Sequence, residues 1–365
     1  MSKPPLDLPL EALIDKVQTA RAMKVPLLIR GGGTKDFYGE ALKGEPLPTT
    51  ALAGISDYTP SELVVTVRGG TPLAELEATL AGRGQCLPFE PPRYGNTGTV
   101  GGMVAAGLAG PARSAVGGIR DYVLGATILN GRAEVLSFGG RVMKNVAGYD
   151  VARLYAGSMG VLGVILEVSL KVLPVPPRVK TLRFEMDQAE ALKRLRAWGR
   201  QPLPISASAW WNGMLVLRLA GAQAAVQTAV AALGGEVIEP ALADGFWRGL
   251  RDQQDEFFGA AAKAVAAGAT LWRLSVPQKT PPLQLSGEQL IEWGGAQRWV
   301  VTSAPASVLR EAAAQAGGHA TIFRGDKRAG AMAPLPPAQQ RIQRELKDSF
   351  DPDRLFNPGR LYPDL

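Results

Sequence analysis

Residues 25–40 read VPLLIRGGGTKDFYGE. Val25 to Ile29 form a short apolar run that reads as a strand, and Arg30 then leads into Gly31, Gly32 and Gly33. Glycine loses more backbone freedom on folding than any other residue, so three in a row call for an unusual turn or a close approach. Two phosphate-binding loops are excluded directly. A Rossmann fingerprint starting at Gly31 needs its third glycine where Asp36 stands, and a Walker A loop needs a Gly-Lys pair followed by Ser or Thr. Two readings stay open here: a glycine-rich turn with no ligand, or a nest of successive backbone N–H groups converging on an anion.

Upstream, Leu10, Leu13, Ile14, Val17 and Ala20 recur at helical spacing and predict an amphipathic helix over 10–23. Downstream, 63–67 reads as a strand, and Thr71-Pro72 as the cap and first position of a helix to about Gly82. A short strand is expected over 85–89, and strands over 122–129 and 133–138 joined through Asn130-Gly131, a two-residue hairpin signal. Asp150 is expected to cap a short helix to Leu154, and 164–172 alternates as a half-buried strand does. LPVPP at 173–177 then stiffens the chain and suits a domain boundary. Beyond it, strands at 179–186, 205–211 and 214–219 alternate with helices at 188–198 and 222–233. Hairpin signals at Asn212-Gly213 and Gly294-Gly295 point to an antiparallel sheet covered by helices. A helix over 337–348 precedes SFDPDRLFNPGRLYPDL, a tail too specific to be frayed.

Composition narrows the function. With 365 residues, 46% hydrophobic and 20% charged, the chain is a folded protein of two domains or so. The net charge of +7 comes from scattered Lys and Arg with no basic run and no interleaved aromatics, which speaks against nucleic-acid binding. A mild attraction to an acidic partner or membrane surface stays open. Cys86 is the only cysteine, so no disulfide framework or iron–sulfur cluster can form, and His319 is the only histidine, so no His-rich metal site can be built. The start, MSKPPLDLPLEALIDKV, has no signal-peptide pattern, and no apolar stretch is long enough to span a membrane. A cytoplasmic location is the resulting expectation.

Most clusters among the 43 glycines lie before residue 165. Four segments stand out: IRGGGT at 29–34, NTGTVGGMVAAGLAG at 96–110, SAVGGIRDYVLG at 114–125, and GRVMKNVAGYDVARLYAGSMGVLGVILEV at 140–168. Each alone is weak evidence and reads as readily as a tight turn. Together they suggest a long, extended ligand approached closely by backbone, such as a dinucleotide.

KNVAGYDVARLYAGSMGVLGVI at 144–165, together with RGGGT, TVGG and the NPG at 357–359, resembles the FAD-linked oxidases of the vanillyl-alcohol oxidase type. Among these the chain looks most like the FAD-binding subunits of bacterial glycolate oxidases, which work in a complex with a larger flavoprotein subunit and an iron–sulfur subunit. The resemblance implies an α+β fold: a PCMH-type FAD-binding domain of two α/β subdomains over 1–175, an antiparallel α+β cap over 176–335, and a C-terminal segment, 336–365, that returns to the first domain. It implies a pyrophosphate loop at Arg30, Gly31, Gly32, Gly33 and Thr34, with a second phosphate-side segment at Thr99, Val100, Gly101, Gly102 and Met103. Gly163, Val164 and Ile165 would offer backbone groups to the FAD, and Asn357 would approach the flavin from the tail.

Two departures matter. Many members place a flavin-bonding histidine just after the glycine loop, whereas Thr34 stands here, so the FAD is expected to be non-covalent. Cys86 reads as a small core residue rather than an attachment point. Relatives that oxidise 2-hydroxy acids directly tend to carry a histidine-rich metal site in the cap, which one histidine cannot supply. His319 reads as a satisfied histidine, Arg324 and Lys327 as a solvated strand end able to hold a carboxylate, and Trp210, Trp211 and Trp247 as core or interface residues. No catalytic residue is assigned. The leading expectation is a glycolate oxidase subunit that holds FAD and relays electrons within the complex, at most peripheral to a membrane. The alternatives are a self-sufficient FAD-dependent 2-hydroxy-acid dehydrogenase and a flavin-free scaffold.

Overall fold

The structure, a computed structural model, describes residues 7–140 and 149–365. Lys144 to Gly148 of the motif quoted above, like the first six residues, lie outside the described residues.

The helix Leu8–Met23 is capped by Asp7, whose Oδ1 accepts from the Leu10 amide at 3.4 Å. It buries Leu13, Val17 and Ala20, the stripe that the spacing predicts. The chain turns at Lys24, in the left-handed region at φ 54°, into the strand Leu27–Arg30. That strand pairs in parallel with Glu45–Pro48 on one side, while Phe356 of the tail bridges Leu27 on the other. The glycine loop therefore leaves the end of a strand held from both edges.

A five-stranded sheet follows, in the order Ile55–Thr59, Val64–Arg68, Val164–Lys171, Val123–Leu129, Val135–Gly139. The helices Leu73–Ala81 and Val100–Ala106 share its main core with Val65, Val67, Val168 and Leu170. The central strand Val164–Lys171 is not half-buried as its alternation suggests. Ile165, Val168 and Leu170 join the core under these helices, while Val164 and Leu166 pack with the N-terminal helix, so both faces are covered.

Several local expectations change because the side chains take other partners. Thr71 does not cap its helix; its hydroxyl donates to the Arg68 carbonyl at 2.7 Å and accepts from the Gly54 amide at 2.9 Å. Asp150 does not cap a helix either but pairs with Arg153 at 2.8 Å. Asn130-Gly131 is not a two-residue turn. The pairing closes at Leu129 and Val135, Ala133 takes the left-handed corner at φ 61°, and Asn130 Oδ1 accepts from the Arg132 and Glu134 amides, both at 2.9 Å. The strand expected over 85–89 shortens to Gln85–Cys86, because Pro88 has no amide to extend the ladder.

From residue 178 on, one eight-stranded antiparallel sheet runs in the order Glu236–Val237, Arg178–Glu185, Met214–Gly221, Ile205–Trp211, Glu288–Glu292, Gln297–Thr302, Thr270–Ser275, His319–Arg324. Asn212-Gly213 is the expected two-residue corner, with φ of 48° and 77°. Gly294-Gly295 instead lies in a four-residue connection between Glu292 and Gln297. Helices Gln188–Trp198, Gln223–Leu233 and Ala306–Gln315 cover one face. The other face, with Leu271, Trp299 and Phe323, packs into one cluster with Tyr38, Ala106, Leu108 and Met159 of the N-terminal half.

The helix Pro337–Phe350 and the tail close the molecule. Lys347 is fully buried and donates to Asp351 Oδ2 at 2.8 Å and to the Val161 and Phe356 carbonyls at 2.7 and 2.9 Å. Asp351 in turn accepts from the Leu355 and Phe356 amides at 3.0 and 2.8 Å. A buried ion pair whose donors and acceptors are all used fixes the tail against the segment that leads into the strand Val164–Lys171.

Candidate functional site

The loop 30–36 forms one wall of a cleft that encloses about 560 Å³, its open mouth included. Thr99, Gly102, Ala105 and Ala106 form the facing wall, and Asn357 and Arg360 reach it from the tail. Five consecutive amides, those of residues 31–35, find no acceptor among the described residues. Buried backbone N–H groups are otherwise paired in folded proteins, so a run of five without acceptors along one cleft is suited to an anion.

Packing also explains why these positions are glycine. A Cβ on Gly31 would collide with the Thr99 side chain, and one on Gly32 with the Thr97 carbonyl. Thr97 Oγ1 donates to the Gly32 carbonyl at 2.9 Å and clips the two segments together. Gly33 sits in the left-handed region at φ 70°. Arg30 turns outward and pairs with Asp36 at 2.7 Å, and that contact holds its pKa above the ordinary value.

Lys35 is the residue that the sequence reading passed over. Burial pushes its ammonium down to about 8, against a smaller opposing pull from Asp252. It lies 5.7 Å from the Tyr94 ring and has no hydrogen-bond acceptor among the described residues. An unpaired ammonium on the same loop as five unpaired amides is suited to a phosphate.

The second glycine segment behaves differently. Thr99 caps the helix Val100–Ala106, and all four leading amides are taken. Val100 donates to Thr71 O at 2.9 Å, Gly101 to Gly69 O at 2.7 Å, Gly102 to Thr99 Oγ1 at 3.2 Å, and Met103 to Thr99 O at 2.9 Å. Val100 and Met103 are core residues, and of this group only Thr99 and Gly102 line the cleft. Gly163, Val164 and Ile165 do not line it. Val164 and Ile165 pair with Leu129 and Ile128 inside the sheet, and a Cβ on Gly163 would come within 2.6 Å of the Leu129 carbonyl.

Asn357 is a clip at the base of the loop. Its Oδ1 accepts from the Ile29 amide at 2.7 Å, its Nδ2 donates to Met159 O at 2.6 Å, and its own amide donates to Leu27 O at 2.9 Å. Arg360 binds the carbonyls of Lys35, Asp36 and Glu40, which shapes the far side of the loop. Arg324 and Lys327 are not a solvated strand end. The Arg324 guanidinium lies 3.5 Å from the centre of the Phe37 ring, and Lys327 donates to the Phe37 and Gly39 carbonyls. His319 is the exposed first residue of the otherwise buried strand His319–Arg324; Cys86 is half-buried beside an apolar groove rather than in the core. Trp247 is buried and donates to Thr181 Oγ1 at 3.0 Å, while Trp210 and Trp211 are half-buried.

The donor set fits a dinucleotide: amides and an ammonium for phosphate, small residues where a flat ring must pass, and an apolar wall at Ala106 and Met159. Comparison with known proteins agrees. The FAD binding domain family matches residues 10–139. The chain is 46% identical to glycolate oxidase subunit GlcE of Escherichia coli strain K12 over 97% of its own length and 98% of that protein's. It is 30% identical to glycolate oxidase subunit GlcD of Bacillus subtilis strain 168, over 44% of this chain and 34% of that one. It is also 30% identical to a D-lactate dehydrogenase of Anaerostipes hadrus, over 48% and 37% of the two chains. Among solved structures, an alkyldihydroxyacetonephosphate synthase shares the fold at a TM-score of 0.65 and 14% identity, over 95% of this chain and 74% of that one.

Proposed function

The chain belongs to the family of GlcE-type glycolate oxidase subunits, and from that premise we propose that it is a non-covalent FAD subunit of a glycolate oxidase complex. In this reading it takes part in oxidising glycolate to glyoxylate together with a larger flavoprotein subunit and an iron–sulfur subunit. The observation that carries it is the run of five unpaired amides, 31–35, with the unpaired Lys35 ammonium on the same loop. These groups hold the pyrophosphate, and bound FAD supplies a two-electron acceptor. Asn357 and Arg360 fix the loop from behind, and residues 1–175 with 336–365 form the cofactor domain that 176–335 covers. Thr34 has no atom able to form the flavin bond that a histidine makes, and His319 starts the edge strand of the eight-stranded sheet and does not line the cleft. Among the described residues no helix is long and apolar enough to cross a membrane, so contact with a membrane would come through the complex.

The test is simple. The purified chain should be yellow with about one flavin per chain, and acid precipitation should release all of it into the supernatant. A colourless folded chain, or flavin retained in the pellet, overturns the reading. Co-purification with the two other subunits tests the assembly.

A further inference from the structure

The amides of 31–35 lack acceptors, but the carbonyls that follow them on the loop do not lack donors. Two side-chain cations supply those donors. Arg360 of the tail binds the carbonyls of Lys35, Asp36 and Glu40, and Lys327 binds those of Phe37 and Gly39. Arg360 lines the cleft; Lys327 does not, and neither does any other residue of 176–335.

Lys327 lies in the turn 325–331, directly after the edge strand His319–Arg324 of the eight-stranded sheet. That turn is braced from behind. Arg310, on the helix Ala306–Gln315, donates to the Ala329 and Gly330 carbonyls at 2.8 and 2.6 Å. The Ile322 amide donates to Ala331 O at 2.8 Å and ties the turn to its own strand. The turn and the end of the strand meet the loop at three further points. The Ala331 amide donates to Glu40 Oε1, the Arg324 guanidinium covers the Phe37 ring, and Phe323 packs edge-on against Phe37 with 5.4 Å between ring centres.

A loop that opens on three glycines has much backbone freedom to lose when it closes on an anion. Fixing its exit beforehand removes part of that cost, which is preorganisation. Resting on the reading that FAD fills the cleft, we infer that Lys327 is a positioning residue for the cofactor and that the seating of the turn 325–331 is linked to FAD binding. A seated turn favours FAD, and bound FAD favours the seated turn by the same factor, since linkage between two equilibria is reciprocal. The eight-stranded half of the molecule then takes part in holding a cofactor that it does not line.

The test strips the flavin from the full chain and titrates FAD back, with binding read from flavin fluorescence. Lys327→Met should weaken FAD binding by about tenfold or more, because two carbonyls lose a charged donor. Arg328→Met removes the neighbouring cation, which pairs with Asp326 and touches no loop carbonyl, and should leave FAD affinity unchanged. The reciprocal arm is amide hydrogen exchange over 325–332. In the unaltered chain FAD should slow it more than it slows the helix Gln223–Leu233, which covers the opposite face of the sheet, and in Lys327→Met that local slowing should disappear. A residue that only stabilised the fold would lower stability in Lys327→Met without removing this local response. Equal FAD affinity in Lys327→Met and the unaltered chain, an equal loss in Arg328→Met, or exchange over 325–332 indifferent to FAD overturns the inference. If Lys327→Met fails to fold, the exchange measurement on the unaltered chain decides it. A chain that takes up no FAD fails the cofactor reading and this one with it; a chain that takes up FAD but gives one of the overturning results fails this one alone.

Discussion

The segments 31–35 and 99–103 are both glycine-bearing, both follow a strand or turn, and face each other across one cleft, yet they use glycine for different ends. In the first, five amides are left without acceptors, and the chain stays open to a ligand. In the second, every leading amide of the helix Val100–Ala106 has a protein partner. There the lack of a side chain at Gly101 lets the helix end lie against the Gly69 carbonyl, which a Cβ would meet at 2.9 Å. Glycine content marks close approach. Only the fate of the N–H groups says whether what approaches is a ligand or the protein itself.

The largest effect expected from this contrast is at Gly32. Gly32→Val would drive a side chain into the Thr97 carbonyl and displace the cradle, so flavin content should fall from about one per chain to near zero in protein that remains folded. Absorbance of the purified variant reads it, and full flavin retention would break the assignment of the open loop.

Next comes the support beneath that loop. Lys347→Met leaves Asp351 buried without its cation, a loss on the order of 3–5 kcal/mol in urea unfolding. The tail carrying Asn357 loosens with it, so flavin affinity should fall in the same variant. A stable variant with unaltered flavin binding would show that the loop does not depend on the tail.

Gly101→Val tests the closed segment. Overpacking against Gly69 should lower stability by roughly 1–3 kcal/mol, while the folded fraction keeps its flavin. Flavin loss at unchanged stability would mean that the two segments do not differ as their amides indicate.

How much of this the residues disclosed depended on the range of the interaction. The N-terminal helix, the Asn212-Gly213 corner and the helix-covered antiparallel sheet follow from local spacing and were legible. Thr71, Asp150 and Asn130-Gly131 looked like caps and a corner, but each side chain took a competing partner within four residues, the Arg68 carbonyl, Arg153 and the Glu134 amide, and spacing alone does not decide between such local bonds. Arg324 and Lys327 read as solvated because nothing local places Phe37 and Gly39 against them. The glycine loop was visible as a question and its openness was not, since an unpaired amide is defined by everything that fails to reach it. Lys35 could have been found: a lysine directly after a glycine loop is a phosphate signal even when no Walker pattern frames it.

Lys35 gives the smallest and most specific prediction. Its ammonium titrates at about 8 because burial disfavours the charge, so without flavin the folded chain binds fewer protons than the unfolded chain between about 8 and the ordinary lysine value of 10.5. Stability of the flavin-free chain should therefore rise with pH through that window and be lower below it. Lys327, also pushed down to about 8, acts with the same sign, so the Lys35 share is the difference between the unaltered chain and Lys35→Met. Flavin affinity should run the other way, because phosphate binds the charged form: it should weaken as pH rises above about 8 in the unaltered chain. In Lys35→Met it should be weaker by several-fold at pH 7 and less dependent on pH. Parallel pH profiles in the two proteins would remove Lys35 from the cradle and leave the five amides as its whole anion-binding equipment.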